Sequence, residues 1–171
     1  VRLVAVLPVA GKASLHVDNA VLRARFIDAL YVRGYPKIPA DFIDEVIATS
    51  EKEHKVTNAT KEVAPRLDDD GAFPYQEWQE ALGVDAFLCI DIKESELVGK
   101  RFIAFYVLEA SLRLIDARTG EELWTSSYRD SDWLMGVNRA RLQVDNMVNY
   151  GRSLMNMVNF GAGAFPEKRG F

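Results

Sequence analysis

The chain has 171 residues, 49% of them hydrophobic and 27% charged, with a net charge of −4. That length fits one domain able to bury roughly 70% of its unfolded surface, and the composition excludes wholesale disorder. The acidic balance argues against general nucleic-acid binding, and no apolar run reaches the roughly 18 residues that would span a bilayer. Cys89 stands alone, which excludes an internal disulfide and a thiolate zinc cluster.

Residues 2–9 read as the opening strand. Leu3, Ala5 and Leu7 lie on one face and Val4 and Val6 on the other, which predicts a central strand covered on both sides. The chain opens on Val1 and not on Met, so a leader or lipid anchor upstream is expected. A loop with Gly11 leads to a helix over 18–33, with Asp18 or Asn19 as N-cap, a stripe of Leu22, Phe26, Ala29 and Leu30, and Gly34 as its stop. Residues 35–39 read as a short extended piece that its prolines confine to an edge. A second helix begins over 40–48. Residues 49–72 are polar and weakly patterned, which predicts an exposed excursion, and 74–82 read as a short helix closed by Gly83.

A β-meander follows. Val84, Ala86, Leu88, Ile90 and Ile92 alternate along 84–93, and Phe102, Ala104, Tyr106, Leu108, Ala110, Leu112 and Leu114 do so along 102–116. A turn from Asp116 to Gly120 leads to a last strand over 121–128. The final helix, 137–159, carries Val137, Ala140, Val144, Val148, Gly151, Met155 and Val158 at helical spacing, and the Gly/Ala-rich tail 161–171 reads as flexible. The expected fold is α/β: a mixed sheet in the order β-α-β-α-β-β-β-α, one domain over 1–160, with a C-terminal antiparallel meander and helices packed on it.

Candidate chemistry is thin. Gly11-Lys12 after a strand has the outline of a phosphate-binding loop, but the first glycine of that motif would fall at Val6 and its Ser/Thr at Ala13. The 66–77 loop comes nearer to a calcium site, with Asp68, Asp70, Gly71, Phe73 and Glu77 in appropriate slots. Arg66 puts a cation where the first carboxylate belongs, and Pro65 and Pro74 disturb the flanks, so a solvated acidic turn is preferred and calcium is the alternative. His16 and His54 have no ligand-spaced partners. Ser14 lacks the Gly-x-Ser-x-Gly context, and Ser153 has no base near it in sequence. Cys89 reads as a buried inert thiol, Asp91 with Glu94 or Glu96 as charges at a strand end, and Asn58-Ala59-Thr60 as a bare glycosylation sequon. No enzyme and no cofactor is expected.

Contacts are the remaining option. Trp133, Leu134 and Met135 fall in the connection after the last strand, where they either staple the final helix to the sheet or form an interface. The reverse face of the meander (Phe87, Cys89, Ile103, Phe105 and Val107) is apolar enough to need cover. A helix of the same chain is preferred for that role over a second subunit.

Several segments together resemble a family of small bacterial envelope lipoproteins of uncharacterised function, with a fold like the amino-terminal domain of TolB. They are Val4-Ala-Val-Leu-Pro8, Ala29-Leu-Tyr-Val-Arg-Gly-Tyr35, Phe42-Ile-Asp-Glu45, Leu82-Gly-Val-Asp-Ala86 and Leu114-Ile-Asp-Ala-Arg-Thr-Gly-Glu-Glu-Leu-Trp124. The resemblance implies a periplasmic domain tethered to the outer membrane by a lipid upstream of Val1. It also implies envelope proteins as partners, a homodimer being one form. It brings no catalytic residues.

Overall fold

The computed structural model describes residues 1–11, 18–55 and 75–166. The fold is organised by three strands of 14 residues each: β3 (Ala86–Gly99), β4 (Ile103–Asp116) and β5 (Glu122–Met135). At about 3.4 Å per residue each runs roughly 45 Å. They form an antiparallel meander, with Ala86 opposite Asp116 and Gly99 opposite Ala104 at the two ends of the first pair, and Ile103 opposite Met135 in the second. Two short strands, β1 (Val4–Val6) and β2 (Ala10–Gly11), pair in parallel with β3 in succession, so the sheet is mixed and open in the order β1-β3-β4-β5. The mixed α/β class and the terminal meander are as the sequence predicts.

Among the described residues there are four helices: α1 (Asn19–Val32), α2 (Ala40–Lys55), α3 (Tyr75–Leu82) and α4 (Arg139–Gly163). The side chain of Asp18 caps α1 by accepting from the Ala20 amide at 2.8 Å, and Gly34 follows at φ 87°, a conformation glycine adopts without strain. Leu22, Phe26 and Leu30 of α1, with Tyr150, Met157 and Val158 of α4, pack on Val4, Val6, Leu88, Ile90, Leu108 and Leu112. On the opposite face Ile43 and Ile47 of α2 and Trp78 and Leu82 of α3 cover Ala5, Leu7, Phe87, Cys89 and Ile115. Each such fully buried side chain contributes about 1.5–3 kcal/mol. Arg23 ties the two helical layers around the sheet edge. Its Nε donates to the Val6 carbonyl at 2.8 Å and its Nη1 to Asp44 of α2 at 2.6 Å.

Several expectations are corrected. β1 is covered on both faces but is an edge strand, because helices rather than a neighbouring strand supply the cover. Residues 35–39 form no strand. Tyr35 turns inward, its amide donating to the Leu30 carbonyl and its ring meeting Phe165 edge-on at 5.5 Å. Residues 49–55, placed in the polar excursion, continue α2, while 56–72 lie outside the described residues. The described part of the tail, 161–166, is packed on the fold. Gly161–Gly163 belong to α4, Phe165 is buried, and Arg33 donates to the Phe165 carbonyl at 2.7 Å.

Two further differences matter for function. β3 and β5 run past residues 93 and 128, so Trp133, Leu134 and Met135 are strand residues and not a connection. Of the predicted stripe, Val144, Val148 and Met155 of α4 face outward, Val137 lies ahead of the helix, and Val158 is buried in the core. The side that packs on the sheet is Leu142, Asn146, Tyr150, Ser153 and Met157.

Candidate functional site

The strands are longer than the layers that cover them. Near β1 the sheet has helices on both faces. Beyond the β-bulge between Ile92 and Glu94, α4 covers one face, and α2 and α3 do not reach the other. Cross-strand register brings Val98 opposite Phe105, Phe105 opposite Trp133, and Ile103 opposite Met135 on that open face, with Val107 beside them. Phe105 and Trp133 stack with ring centroids 4.6 Å apart at 22°. Trp133 is 64% exposed, Met135 is 82% exposed and Ile103 is also exposed. An apolar, aromatic-centred patch on a rigid sheet is the type of surface at which binding energy concentrates.

The rim of this patch is acidic. Glu94 sits directly opposite Glu109, and Glu96 follows opposite Val107 on the same face. Like charges placed opposite each other weaken a strand pair. Arg129, opposite Glu109, offsets part of the charge, with Nη1 3.6 Å from Oε2. Lys100 and Arg101 lie beyond, at the hairpin tip.

The covered face of the same strands carries a polar seam beneath α4. Tyr106 Oη donates to Asp130 Oδ2 at 3.1 Å and Tyr128 Oη to the same oxygen at 3.4 Å, and the Tyr128 and Ser153 hydroxyls share a bond of 3.3 Å. Ser95 and Tyr150 are hydrogen-bonded to each other. Asn146 Nδ2 reaches two strand carbonyls, Val98 at 3.2 Å and Phe105 at 3.0 Å, and so fastens α4 to the β3–β4 hairpin. Burial, followed by the bond to Asp130 and its charge, pushes the Tyr106 hydroxyl up to about 12, and burial also raises Tyr128. Both phenols stay protonated at neutral pH, so Ser153 faces a neutral phenol there and no general base. The seam holds a helix in place.

The other sequence candidates fall as follows. Phe87 lies in the core under α3, its ring 5.5 Å from Tyr75 and 6.1 Å from Trp78, and is not available at a surface. Leu134 points to the α4 side, opposite Ala104, while Phe105, Trp133 and Met135 share the open face. The extended hairpin adds Val98, Glu94 and Glu96, which the bulge puts out of phase with the apolar alternation, and Glu109 of β4 joins them. Cys89 is buried, and burial pushes its thiol up to about 12, which suits an inert side chain. Asp91 is held by Lys93 at 2.5 Å. Of the calcium slots, Asp68 and Asp70 lie outside the described residues, as do Ser14, His16 and the sequon. Glu77 stands on α3 and accepts from Ser50 at 2.9 Å. Glu77 also lines an open cleft of about 570 Å³ between α2 and α3, with Phe42, Glu45, Trp78 and Glu80. Among the described residues no group of three or more His, Cys, Asp and Glu is arranged to hold a metal, and no helix is long and apolar enough to cross a membrane.

No model of a known protein family matches this sequence, and neither does a curated protein. Solved structures do match the fold. The lipoprotein GNA1162 from Neisseria meningitidis is 22% identical, with a TM-score of 0.51 over 87% of this chain and 96% of its own. The PelC dodecamer from Paraburkholderia phytofirmans is 12% identical, with a TM-score of 0.59 over 98% and 89%. The hypothetical protein CT253 from Chlamydia trachomatis is 14% identical, with a TM-score of 0.51 over 94% and 95%. The chain thus has a fold found in bacterial proteins that include a lipoprotein, and it matches them over nearly their whole length.

Proposed function

We propose that this chain is the non-enzymatic domain of a periplasmic lipoprotein, held at the outer membrane by a lipid anchor ahead of Val1. It acts through protein–protein contacts as an accessory or assembly factor of an envelope complex. The observation that carries this reading is the open half of the meander, where Phe105, Trp133, Ile103 and Met135 face outward from a sheet whose other face is backed by α4. A cross-strand aromatic stack steadies the strand pair that carries it, and a partner gains from it a rigid apolar anchor with little ordering cost. The fold shared with the Neisseria lipoprotein and the ordered motifs from Val4 to Trp124 support the envelope setting. The finer likeness to the amino-terminal domain of TolB is part of the same proposal and rests on those motifs.

Cell fractionation tests the setting. The natural protein is expected in the outer-membrane fraction, labelled by a fatty-acid probe and released by detergent but not by salt. Recovery of unlabelled protein from the cytosol overturns the reading.

A further inference from the structure

The open sheet face has a counterpart elsewhere on the same molecule. α4 presents a second apolar stripe away from the sheet. Val144 is 59% and Val148 55% exposed, Met155 is exposed, and Gly151 lies between them where an added Cβ would meet nothing within 4 Å. The small residue at the centre lets another surface approach the helix backbone closely. The helix is also cationic, with Arg139, Arg141 and Arg152 against the single acid Asp145, in a chain whose net charge is −4. The sheet face carries like charges at Glu94, Glu96 and Glu109, with Arg129 beside them and Lys100 and Arg101 at the hairpin tip.

We propose that these two surfaces bind each other between copies of the chain. The outer stripe of α4 of one copy packs over the open half of the next copy's meander, in the layer that α2 and α3 fill over the near half. Val148 and Met155 meet Phe105 and Trp133, and the arginines of α4 relieve the repulsion between Glu94 and Glu109. The proposal rests on the protein-contact reading above and names the partner. Two different patches make a heterologous contact, so association runs head to tail and each copy keeps one free patch of each kind. At 100° per residue the stripe points roughly half a turn round the helix from its sheet-packed side, so the two patches face opposite ways.

Sedimentation velocity on the 171-residue chain tests this with two variants, Trp133→Asp on the sheet and Val148→Asp on the helix. Wild type is expected to form species larger than a dimer as concentration rises. Each variant alone is expected to associate at least tenfold more weakly, with unchanged melting temperature. Mixed one to one, they are expected to form a dimer and nothing larger, because each supplies the patch the other has lost. Ile103→Asp replaces Trp133→Asp should the latter fail to fold. A dimer of Trp133→Asp by itself, meaning a symmetric α4 contact, overturns the proposal, as does a mixture that stays monomeric. Wild type that is monomeric at all concentrations, yet cross-links through position 133 to a different envelope protein, overturns the proposal while leaving the contact reading in place.

Discussion

Asp85 links the chain's first residues to the sheet. Its Oδ2 accepts from the Arg2 amide at 2.6 Å and the Leu3 amide at 3.0 Å, which hold its carboxyl below the usual carboxylate range against the opposing effect of burial. Asp116 is lowered in the same direction by the Thr119 and Arg118 amides in the β4–β5 turn. A depressed folded-state pKa means stabilisation that is complete above the unfolded value near 3.8 and lost as pH falls through the folded one. Asp85→Asn is therefore expected to lower stability at neutral pH, with the gap from wild type closing below about pH 3.8 in denaturant titrations. A gap independent of pH would mean that the amide contacts do not depend on the charge. The capping aspartates Asp18 and Asp116 were legible in the sequence because their roles are local. The long-range reach of Asp85 back to Arg2 was not.

At the scale of elements, what the sequence displayed depended on how regular each strand stays. β4 keeps one phase from Ala104 to Leu114, and its alternation was plain. β3 was read only to residue 93 because the bulge at Ile92/Glu94 moves the core-facing positions from even to odd numbers, leaving Ser95 and Leu97 inward and Glu94 and Glu96 outward. β5 was cut short for a related reason: Tyr128, Asp130 and Ser126 face the polar seam, so no apolar alternation marks its second half. α4 has two stripes, and apolarity selected the outward one, since the packed side includes Asn146, Tyr150 and Ser153. Its C-terminal end was read as flexible because glycines look like linkers. Gly161 is there because a Cβ would come within 2.8 Å of Phe26 and 2.9 Å of Leu112. Gly161→Val is accordingly expected to cost about 1–3 kcal/mol by forcing α1 and α4 apart. Thermal melting checks this, and an unchanged midpoint would mean that the α1–α4 contact gives way freely.

Across the molecule's described residues, the near half is three-layered and the far half is two-layered, with a sheet backed by α4. That asymmetry follows from strand length, because 14-residue strands outrun the 8-residue α3 and its neighbour α2. The sequence reading preferred a helix of the same chain as cover for the reverse face. Among the described residues the cover is of that kind over Phe87 and Cys89, and no helix covers Ile103 and Phe105. The central claim is that the uncovered half is a contact surface in the cell. Site-specific photo-cross-linking in intact cells tests it most directly, with the reactive residue at position 133 or 105 on the open face and at position 118 in the β4–β5 turn as control. The account predicts discrete protein adducts from 133 and 105 that disappear in Met135→Asp, and none from 118. Equal labelling from all three positions, or none from 133 and 105, would contradict it.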